Sequence, residues 1–393
     1  MRMKHILRAG SCSLVLLIVA LATSSAGALG AIYLPPDTGY AYVNDNTTVA
    51  NTVAGFVRHA DGSLTPIPGS PFAIGGVGSG KGLGSQGALQ LAGGGRYALA
   101  VDAASSQISV LRFASNGVPE LVGSPVSSGG VDPVSIAVSG NLVYVANAGA
   151  GGTNVTGFIL TPSGGLYPLA GSTVALPEGS GPGDVLFNTG GGLLGLGGRK
   201  LAVTLVNTST IASFDVRIDG RLIAAPGSPF AAQGPGPFGA EFRPTNPAQL
   251  FVSNAHGGAG NGTVSAFRVG PEGQLASIGS SPFADLQTAP CWVEISHDGR
   301  FLFAVNTASG TISTYAISPN GALTLLGSVS AGPAGTGAVD ARLSPDGKTL
   351  LVNGSAANVV AAFAVSSSGS LTQFASSPTA LPAGAVASGI VVN

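Results

Sequence analysis

Two glutamates and one arginine are the residues of this sequence best placed to do chemistry together. Glu241, Glu294 and Arg342 each lie in an apolar stretch before a turn, in three successive copies of an internal repeat. When the copies are aligned on that turn, the three fall at one level, and Asp184 and Asp340 fall two residues earlier in theirs. Carboxylates beside an arginine can act as an acid and a base with a site for a developing negative charge. In the other copies this level holds Gln90, Ala137 and Leu186.

The sequence leaves two interpretations of this group open. In the structural one, the carboxylates and Arg342 form a hydrated ring of salt bridges, because buried carboxylates need a partner that offsets their desolvation. In the functional one, Glu241 and Glu294 are an acid and base pair, or they bind a hard cation together with backbone oxygens. Neither interpretation requires a cofactor. No residue is assigned as a dedicated metal ligand, and a channel cation is the one bound ion that the pattern allows.

The repeat that carries these residues is about fifty residues long and occurs seven times. In the sixth copy, turns at residues 297–300, 307–310 and 318–321 separate runs that predict strands at residues 291–296, 301–306 and 311–317 and a fourth strand after them. Asp-Gly and Asn-Gly pairs supply the positive φ values that hairpin turns need. Strand signals alone at this period predict a propeller of four-stranded blades. An apolar run ending in Asn, or once in Asp, marks the centre of each copy: residues 40–44, 99–102, 143–147, 203–207, 250–254, 302–306 and 350–353.

The two ends of the chain complement each other. The first copy lacks the strand that begins every other copy, and residues 387–393 resemble such a strand with nothing after it. Joining them would complete a blade and close the ring, which removes the free edges that invite aggregation. We therefore predict an all-β fold, with residues 29–393 forming a single seven-bladed β-propeller of four-stranded antiparallel blades, closed by the C-terminal strand in blade 1. The first strand of each blade would line the central channel.

Residues 1–28 have the features of a secretory signal peptide. Basic residues precede the apolar run 14–21, and residues 26–28 form a cleavage site of small residues. Cys12 comes before the apolar run, where a lipoprotein cysteine would follow it. We expect a secreted or periplasmic protein that is free of the membrane after cleavage.

Composition excludes several classes of partner and site. Cleavage removes three of the 16 basic residues and none of the 17 acidic ones, so the net charge becomes about −4. A negative protein is poorly suited to bind nucleic acid, whose phosphates need a basic surface. Cys291 is then the one cysteine, so no intramolecular disulfide can form. The three remaining histidines, His59, His256 and His297, fall on two faces of the predicted propeller and cannot form one zinc site.

Several motifs resemble those of a known family. Gly-Ser-Pro-Phe or Ser-Ser-Pro-Phe occurs at residues 69–72, 227–230 and 280–283, and a link rich in Pro and Gly follows. Near the C-terminus, Ser-Pro-Asp-Gly-Lys at residues 344–348 precedes an apolar run that ends in Asn. In these features the chain after residue 28 resembles the lactonase-like seven-bladed β-propellers, of the 6-phosphogluconolactonase and carboxymuconate-cyclase types. It is also similar to the exported propellers named for a Tyr-Val-Thr-Asn repeat.

The enzymes of that family carry Gly-Pro-Arg-His, then Phe-His-Pro, and a Glu after the central Asn of that blade. The matching stretch here, residues 236–244, reads Gly-Pro-Phe-Gly-Ala-Glu-Phe-Arg-Pro. The Arg, the two His and the Glu of the family are replaced here by, in that order, Phe238, Gly239, Arg243 and Ala255. The resemblance therefore implies the fold and carries over no catalytic residue. An anionic lactone would also need a basic pocket, which the sequence does not predict.

Candidate ligand-binding residues lie on the face formed by the links between blades and in the channel. Trp292 is the only tryptophan, and an indole beside the channel mouth could stack on a sugar or pack between blades. His256 lies in a Gly-rich turn that suits an exposed side chain, and Asp132 belongs to the same face. Asp184 and Asp340 complete this group from within the channel.

These observations favour a non-catalytic exported scaffold that binds an extracytoplasmic protein, a glycan or a small molecule, and we expect it to be a monomer. The alternative is a lactone or ester hydrolase in which Glu241 or Glu294 activates water and Arg342 stabilises the developing oxyanion. Fold alone cannot separate the two, because propellers support both. Geometry can separate them, since the hydrolase requires the three residues to reach one open cavity.

Overall fold

The computed structural model describes residues 37–188 and 198–393. These residues form seven small antiparallel sheets arranged as a seven-bladed β-propeller and contain no helix, so the predicted all-β fold is confirmed. In the same ranges there is no helix long and apolar enough to cross a membrane. The signal peptide predicted over residues 1–28 lies outside the described residues.

The strands are numbered in chain order and grouped here by blade. Blade 1 comprises β1 (Asp37–Asn44), β2 (Thr52–His59), β3 (Leu64–Pro66), β4 (Phe72–Ala73) and β34 (Ile390–Val392). Blade 2 comprises β5 (Leu89–Ala92), β6 (Tyr97–Asp102), β7 (Gln107–Phe113), β8 (Pro119–Leu121) and β9 (Val126–Ser127). Blade 3 comprises β10 (Pro133–Ser139), β11 (Leu142–Asn147), β12 (Asn154–Leu160), β13 (Leu166–Pro168) and β14 (Val174–Ala175).

The second half of the chain repeats this pattern. Blade 4 comprises β15 (Pro182–Phe187), β16 (Arg199–Leu205), β17 (Thr210–Val216), β18 (Leu222–Ala224) and β19 (Phe230–Ala231). Blade 5 comprises β20 (Pro237–Arg243), β21 (Asn246–Asn254), β22 (Thr263–Val269), β23 (Leu275–Ser277) and β24 (Phe283–Ala284). Blade 6 comprises β25 (Pro290–Ile295), β26 (Phe301–Asn306), β27 (Thr311–Ile317) and β28 (Leu323–Ser330), and blade 7 comprises β29 (Ala338–Leu343), β30 (Thr349–Gly354), β31 (Val359–Val365), β32 (Leu371–Gln373) and β33 (Thr379–Ala380).

One strand of each blade belongs to an inner ring around the central channel. Each inner strand contacts the inner strands of the blades on either side and pairs with the second strand of its own blade. Apolar side chains fill the space between blades; Tyr144 of blade 3, for example, packs edge-on against Phe187 of blade 4, with ring centroids 6.1 Å apart. The inner ring consists of β5, β10, β15, β20, β25, β29 and β34.

The C-terminal strand closes the ring in blade 1, as predicted. β34 pairs antiparallel with β1, which places Val391 opposite Tyr42. Asn393 and Tyr40 extend the pairing, since the N–H group of each donates to the carbonyl oxygen of the other at 3.0 Å. Blade 1 therefore takes its inner strand from one end of the chain and its outer strands from the other.

The Ser-Pro corners have a structural role. The fourth strand is interrupted in every described blade except blade 6, so one N–H group of the third strand lacks a strand partner there. In blades 1, 4, 5 and 7, the serine hydroxyl of a Ser-Pro pair accepts a hydrogen bond from that group, which satisfies a buried donor. The N–H donors and their serines are Gly55 with Ser70, Ser213 with Ser228, Ala266 with Ser281 and Ala362 with Ser377, at 2.7–3.0 Å.

The central Asn is also structural in most blades. In blade 6, the Asn306 amide donates to Thr311 Oγ1 and Ser313 Oγ and so ties the second strand to the third. Blade 4 departs from the predicted alignment, because β16 ends at Leu205, and Leu205 rather than Asn207 pairs with the start of β17. Asn207 is exposed in the following turn. The placement of Asn207 at the central position was therefore wrong by two residues.

Candidate active site in the central channel

Acidic side chains join successive inner strands across the channel. An inner strand pairs on one side only, so its channel-facing N–H groups have no strand partner and need another acceptor. In three neighbouring blades, a carboxylate oxygen accepts from an N–H group of the next inner strand. The pairs are Asp184 Oδ2 with Ala240 at 3.0 Å, Glu241 Oε2 with Ile295 at 2.5 Å and Glu294 Oε1 with Leu343 at 2.9 Å.

Glu241, Glu294 and Arg342 line one cavity of about 280 Å³, and Gln90 of blade 2 reaches the same space. The exposed residue His297, in the turn between β25 and β26, also lines this cavity, as do residues of the corresponding turn in blade 7. The cavity therefore opens on the face that carries the turns between first and second strands. We call it the lower cavity and that face the lower face.

The two glutamates of the lower cavity differ in how their oxygens are used. Glu294 accepts from Leu343 N–H through Oε1 and from Arg342 Nη1 through Oε2, at 2.9 and 3.2 Å. Glu241 accepts from Ile295 N–H through Oε2 alone. Its side chain is also less buried than that of Glu294. Glu241 is therefore the carboxylate with an oxygen available to a bound molecule.

Burial dominates the electrostatics of this group. Burial and then the repulsion of Glu294 raise the pKa of Glu241 well above its ordinary value, although Arg342 opposes both. Burial also raises the pKa of Glu294, against the attraction of Arg342. For Arg342, burial alone would lower the pKa, but Glu294 and then Asp340 raise it above the ordinary value. Arg342 thus stays charged, whereas burial favours the protonated form of Glu241.

A segment of the link between blades 1 and 2 blocks the channel above these residues. Gln86 Nε2 donates to the carbonyl oxygens of Ala240 and Val293, both at 3.2 Å, and Gln86 Oε1 accepts from Val293 N–H at 3.1 Å. Next to it, Trp292 Nε1 donates to Ser85 O at 2.9 Å. The side chain of Gln86, in the link between blades 1 and 2, therefore bridges blades 5 and 6. We call residues 82–87 the strap and the face that it covers the upper face.

Asp184 and Asp340 lie deeper than the lower cavity and line no part of it. Asp184 is 3% exposed, and burial raises its pKa to about 8. Asp340 is 1% exposed, and burial raises its pKa to about 6 while Arg342 opposes the shift. Asp340 Oδ1 accepts from Ala341 N–H, and a hydrogen bond from the Gly87 N–H group also stabilises the carboxylate.

The upper-face candidates are not brought together by the structure. Trp292 is 6% exposed and packs edge-on against Phe238, with ring centroids 5.0 Å apart. His256 is exposed in its turn, and Asp132 is half-buried in the link before β10. Neither His256 nor Asp132 lines the cavity that Trp292 and Asp340 share beside the strap. Among the described residues there is no group of three or more His, Cys, Asp or Glu arranged to hold a metal ion.

The positions that match the family's catalytic residues have structural partners here. Phe238 packs on Trp292. A Cβ at Gly239 would lie 2.2 Å from Gln86 Oε1, so a histidine at this position and the Gln86 bridge exclude each other. Arg243 is 8% exposed, and its guanidinium donates to Gly299 O and Gln249 Oε1.

Comparison with known proteins agrees with this architecture. Residues 209–337 match the model of a family described as "Lactonase, 7-bladed beta-propeller". Over these residues the chain is similar to that family, and its fold is a seven-bladed β-propeller. No curated protein matches its sequence significantly.

Solved structures match this propeller over most of its length. A candidate 6-phosphogluconolactonase from Bacteroides uniformis ATCC 8492 has a TM-score of 0.72 and 20% identity, covering 91% of this chain and 99% of its own. The periplasmic gluconolactonase PpgL of Pseudomonas aeruginosa has a TM-score of 0.70 and 17% identity, covering 90% of this chain and 98% of its own. At these identities the likeness concerns the fold.

Sequence reasoning missed two parts of this propeller's channel. It treated the Gly-rich link after blade 1 as a connection, whereas its last residues form the strap. The cue was present, since Gln86 is a lone amide in a stretch of glycine and serine before an inner strand. It also placed His297 on the opposite face from His256 without connecting it to the glutamates, although the lower cavity opens beside it.

Proposed function

We propose that this propeller hydrolyses a small uncharged lactone in the lower cavity, with Glu241 as general base and Arg342 stabilising the oxyanion. One observation carries the proposal: Glu241, Glu294 and Arg342 line a single cavity that reaches the lower surface. A structural ring of salt bridges would need no such opening. Asp184 accepts the same kind of hydrogen bond from a backbone N–H group one blade earlier, but it does not line the cavity. This hydrogen bond alone therefore does not explain why Glu241 and Glu294 face an open cavity.

The hydrogen bonds favour Glu241 over Glu294 as the base. Both oxygens of Glu294 are already acceptors, and its ion pair with Arg342 stabilises the deprotonated form. Glu241 has an oxygen without a partner in the channel and a pKa raised by burial and by Glu294. A raised pKa makes a carboxylate a stronger base towards water. Glu294 then acts by positioning Arg342 and by raising the basicity of Glu241.

The reaction balances with these groups alone. Glu241 takes a proton from water while the water oxygen bonds to the lactone carbonyl carbon, and the carbonyl electrons move onto oxygen next to Arg342. The C=O bond then reforms as the ring C–O bond breaks. The departing ring oxygen takes the proton from Glu241, which yields a hydroxy acid and restores the base.

Charge in the cavity favours an uncharged substrate. Two carboxylates and one guanidinium line it, with His297 at the rim. A phosphorylated lactone would bring further negative charge towards the glutamates, whereas a neutral lactone would not. A hydroxy acid product is an anion at neutral pH, so the same carboxylates would favour its release. The description of PpgL as a gluconolactonase supports sugar lactones as the first class to test.

The test is hydrolysis of a lactone panel by the purified protein without residues 1–28. Glucono-δ-lactone and a phosphorylated aldonolactone are compared against buffer blanks at pH 7, with Glu241→Ala and Glu294→Ala beside the wild type. We expect faster hydrolysis of the neutral lactone, and losses in both variants that are larger for Glu241→Ala. Asp102→Asn, which alters a buried carboxylate of blade 2 outside the cavity, should keep the wild-type rate. Wild-type hydrolysis no faster than buffer, or equal rates in wild type and both variants, would refute the mechanism.

A non-catalytic scaffold remains the second candidate because the family's catalytic positions have structural roles here. Phe238 and Gly239 support the strap instead of a reaction. This candidate predicts retention of a partner from envelope extract, or a rise in the melting temperature with a glycan, by a protein without lactonase activity. Absence of both would remove it.

A further inference from the structure

A second cavity, of about 730 Å³, lies on the lower face between blades 2 and 3. It is bounded by the turn at residues 93–96, by the corresponding turn of blade 3 at residues 140–141, and by residues 159–162. It is larger than the lower cavity and shares Leu91 with it. We call it the side cavity. We propose that the side cavity binds a small organic acid with one carboxylate and a hydrocarbon chain, and that Arg96 is its counter-ion.

Arg96 occupies the position of the repeat that Arg300 occupies in blade 6. The carbonyl oxygen of Arg96 accepts from Phe113 N–H at 3.1 Å, and that of Arg300 accepts from Ile317 N–H at 2.8 Å. Each guanidinium also lies over the aromatic ring of the next residue, at 5.7 Å from the ring centroid in blade 2 and 5.1 Å in blade 6. The two blades therefore hold an arginine in the same backbone setting, and blade 6 serves as an internal reference for blade 2.

The two arginines differ in their counter-ion. In blade 6, Arg300 Nε donates to Asp298 Oδ2 at 2.7 Å. Blade 2 has Gly94 at the position of that aspartate, and Arg96 forms no ion pair among the residues that the structure describes. Its Nε donates to Gly93 O at 3.4 Å, which leaves the two Nη groups for a ligand. A guanidinium fork of this kind matches the two oxygens of a carboxylate.

The charge of the side cavity favours a ligand with a single negative charge. Arg96 is exposed and is the one charged side chain among the described residues that line the cavity. The acid Glu120 of the same blade is paired with Arg112 at 2.8 Å and does not line it. One guanidinium balances one carboxylate, whereas a phosphate ester would bring a second negative charge that has no partner here.

The rest of the lining suits a hydrocarbon chain. Ala92 and Tyr97 of blade 2 and Val138 and Leu160 of blade 3 line the cavity and belong to one apolar cluster between these blades. The Tyr97 hydroxyl donates to Pro162 O at 2.9 Å, so the aromatic wall is fixed in place. A preformed apolar wall beside one charged group is the arrangement that recognises an amphipathic acid.

The experiment is isothermal titration calorimetry of the purified protein with octanoate. 1-Octanol, which has the same chain length and no charge, is the matched control ligand. At pH 7.5 and constant ionic strength, we expect saturable binding of octanoate and none of octanol at the same concentration. Wild-type thermal melts are a second measurement that does not depend on variants: octanoate should raise the melting temperature, and octanol or sodium chloride should not.

Arg96→Gln should weaken octanoate binding about tenfold or more, because it removes a charged hydrogen-bond donor. Arg300→Gln is the matched control and should bind as wild type, since Arg300 has the same setting in blade 6 and does not line the side cavity. Gly94→Asp should also weaken binding by restoring a carboxylate beside Arg96, and Gly94→Asn should not. A Cβ at Gly94 would meet nothing within 4 Å, and both substitutions share its φ of 69°, so the two variants differ in charge.

The proposal is overturned if wild type shows no saturable binding of octanoate or if octanol binds equally well. It is also overturned if Arg96→Gln binds as tightly as wild type, if Arg300→Gln weakens binding as much as Arg96→Gln, or if Gly94→Asp and Gly94→Asn bind alike. These outcomes are independent of lactone hydrolysis, because neither Arg96 nor Gly94 lines the lower cavity.

Discussion

Gln86 and Gly239 form the contact on which the closed upper channel depends. The amide of Gln86 donates a hydrogen bond through Nε2 and accepts one through Oε1, and the absence of a side chain at residue 239 makes room for it. The same glycine replaces a catalytic histidine of the enzymes that the sequence resembles. At this position, the channel of this protein has a hydrogen-bonded closure.

We expect Gly239→Ala to lower the free energy of unfolding by roughly 1–3 kcal/mol through overpacking. A Cβ there would lie 2.2 Å from Gln86 Oε1 and 2.6 Å from the carbonyl oxygen of Cys291, and the backbone oxygen cannot move away easily. Gly82→Ala is the matched control, since a Cβ at Gly82 would meet nothing within 4 Å. Urea unfolding of both variants checks this, and a Gly239→Ala protein as stable as the control would contradict the packing.

The shared level of Glu241, Glu294 and Arg342 could be predicted from the repeat alone, because aligned inner strands put equivalent residues at equal depth. The roles of the two glutamates could not, since they depend on which oxygens accept from Ile295, Leu343 and Arg342. The bridge by Gln86 was also beyond sequence reasoning. Its partners are more than 150 residues away, and no periodicity links a loop residue to them.

Among the elements, the C-terminal strand connects the most distant parts of the chain. β34 is three residues long, yet it supplies the inner strand of blade 1 and contacts the inner strands of blades 2 and 7. Its position could be predicted because the first repeat lacks exactly one strand and the last residues have the pattern of the missing one. The misplacement of Asn207 shows the limit of such matching. The predicted run at residues 203–207 extends two residues beyond the end of β16 at Leu205.

We expect deletion of residues 387–393 to lower the melting temperature sharply. The deletion removes the pairing of β34 with β1 and leaves an open ring with exposed strand edges. Thermal unfolding followed by circular dichroism measures the effect. A truncated protein that melts with the wild type would show that blade 1 does not need this strand.

For the whole molecule, the scarcity of charge on the chain contrasts with the concentration of carboxylates inside it. Only 8% of residues are charged, yet several acids are almost fully buried. Burial raises the pKa of Asp45 to about 7, of Asp102 to about 6, of Asp184 to about 8 and of Asp340 to about 6. These groups hold protons in the folded state at pH values where the unfolded chain has lost them.

The sign of the resulting pH dependence follows from these shifts. An acid with a raised folded pKa contributes its full stability below the unfolded value, near pH 4, and loses it as pH rises through the folded value. We therefore expect a higher melting temperature at pH 5 than at pH 8, at constant ionic strength. Asp45→Asn should reduce the difference, because Asp45 is fully buried with Oδ1 unpartnered. A melting temperature that rises between pH 5 and pH 8 would contradict the assignment.

Glu241 is the proposed base of the lower cavity, and hydrolysis there depends on it. The decisive measurement is kcat/KM for glucono-δ-lactone with wild type and Glu241→Gln, whose amide oxygen can still accept from Ile295 N–H. Removing a general base lowers the rate by about 100-fold or more, so we predict a loss of at least that size with an unchanged melting temperature. Equal kcat/KM values for the two proteins would contradict the account.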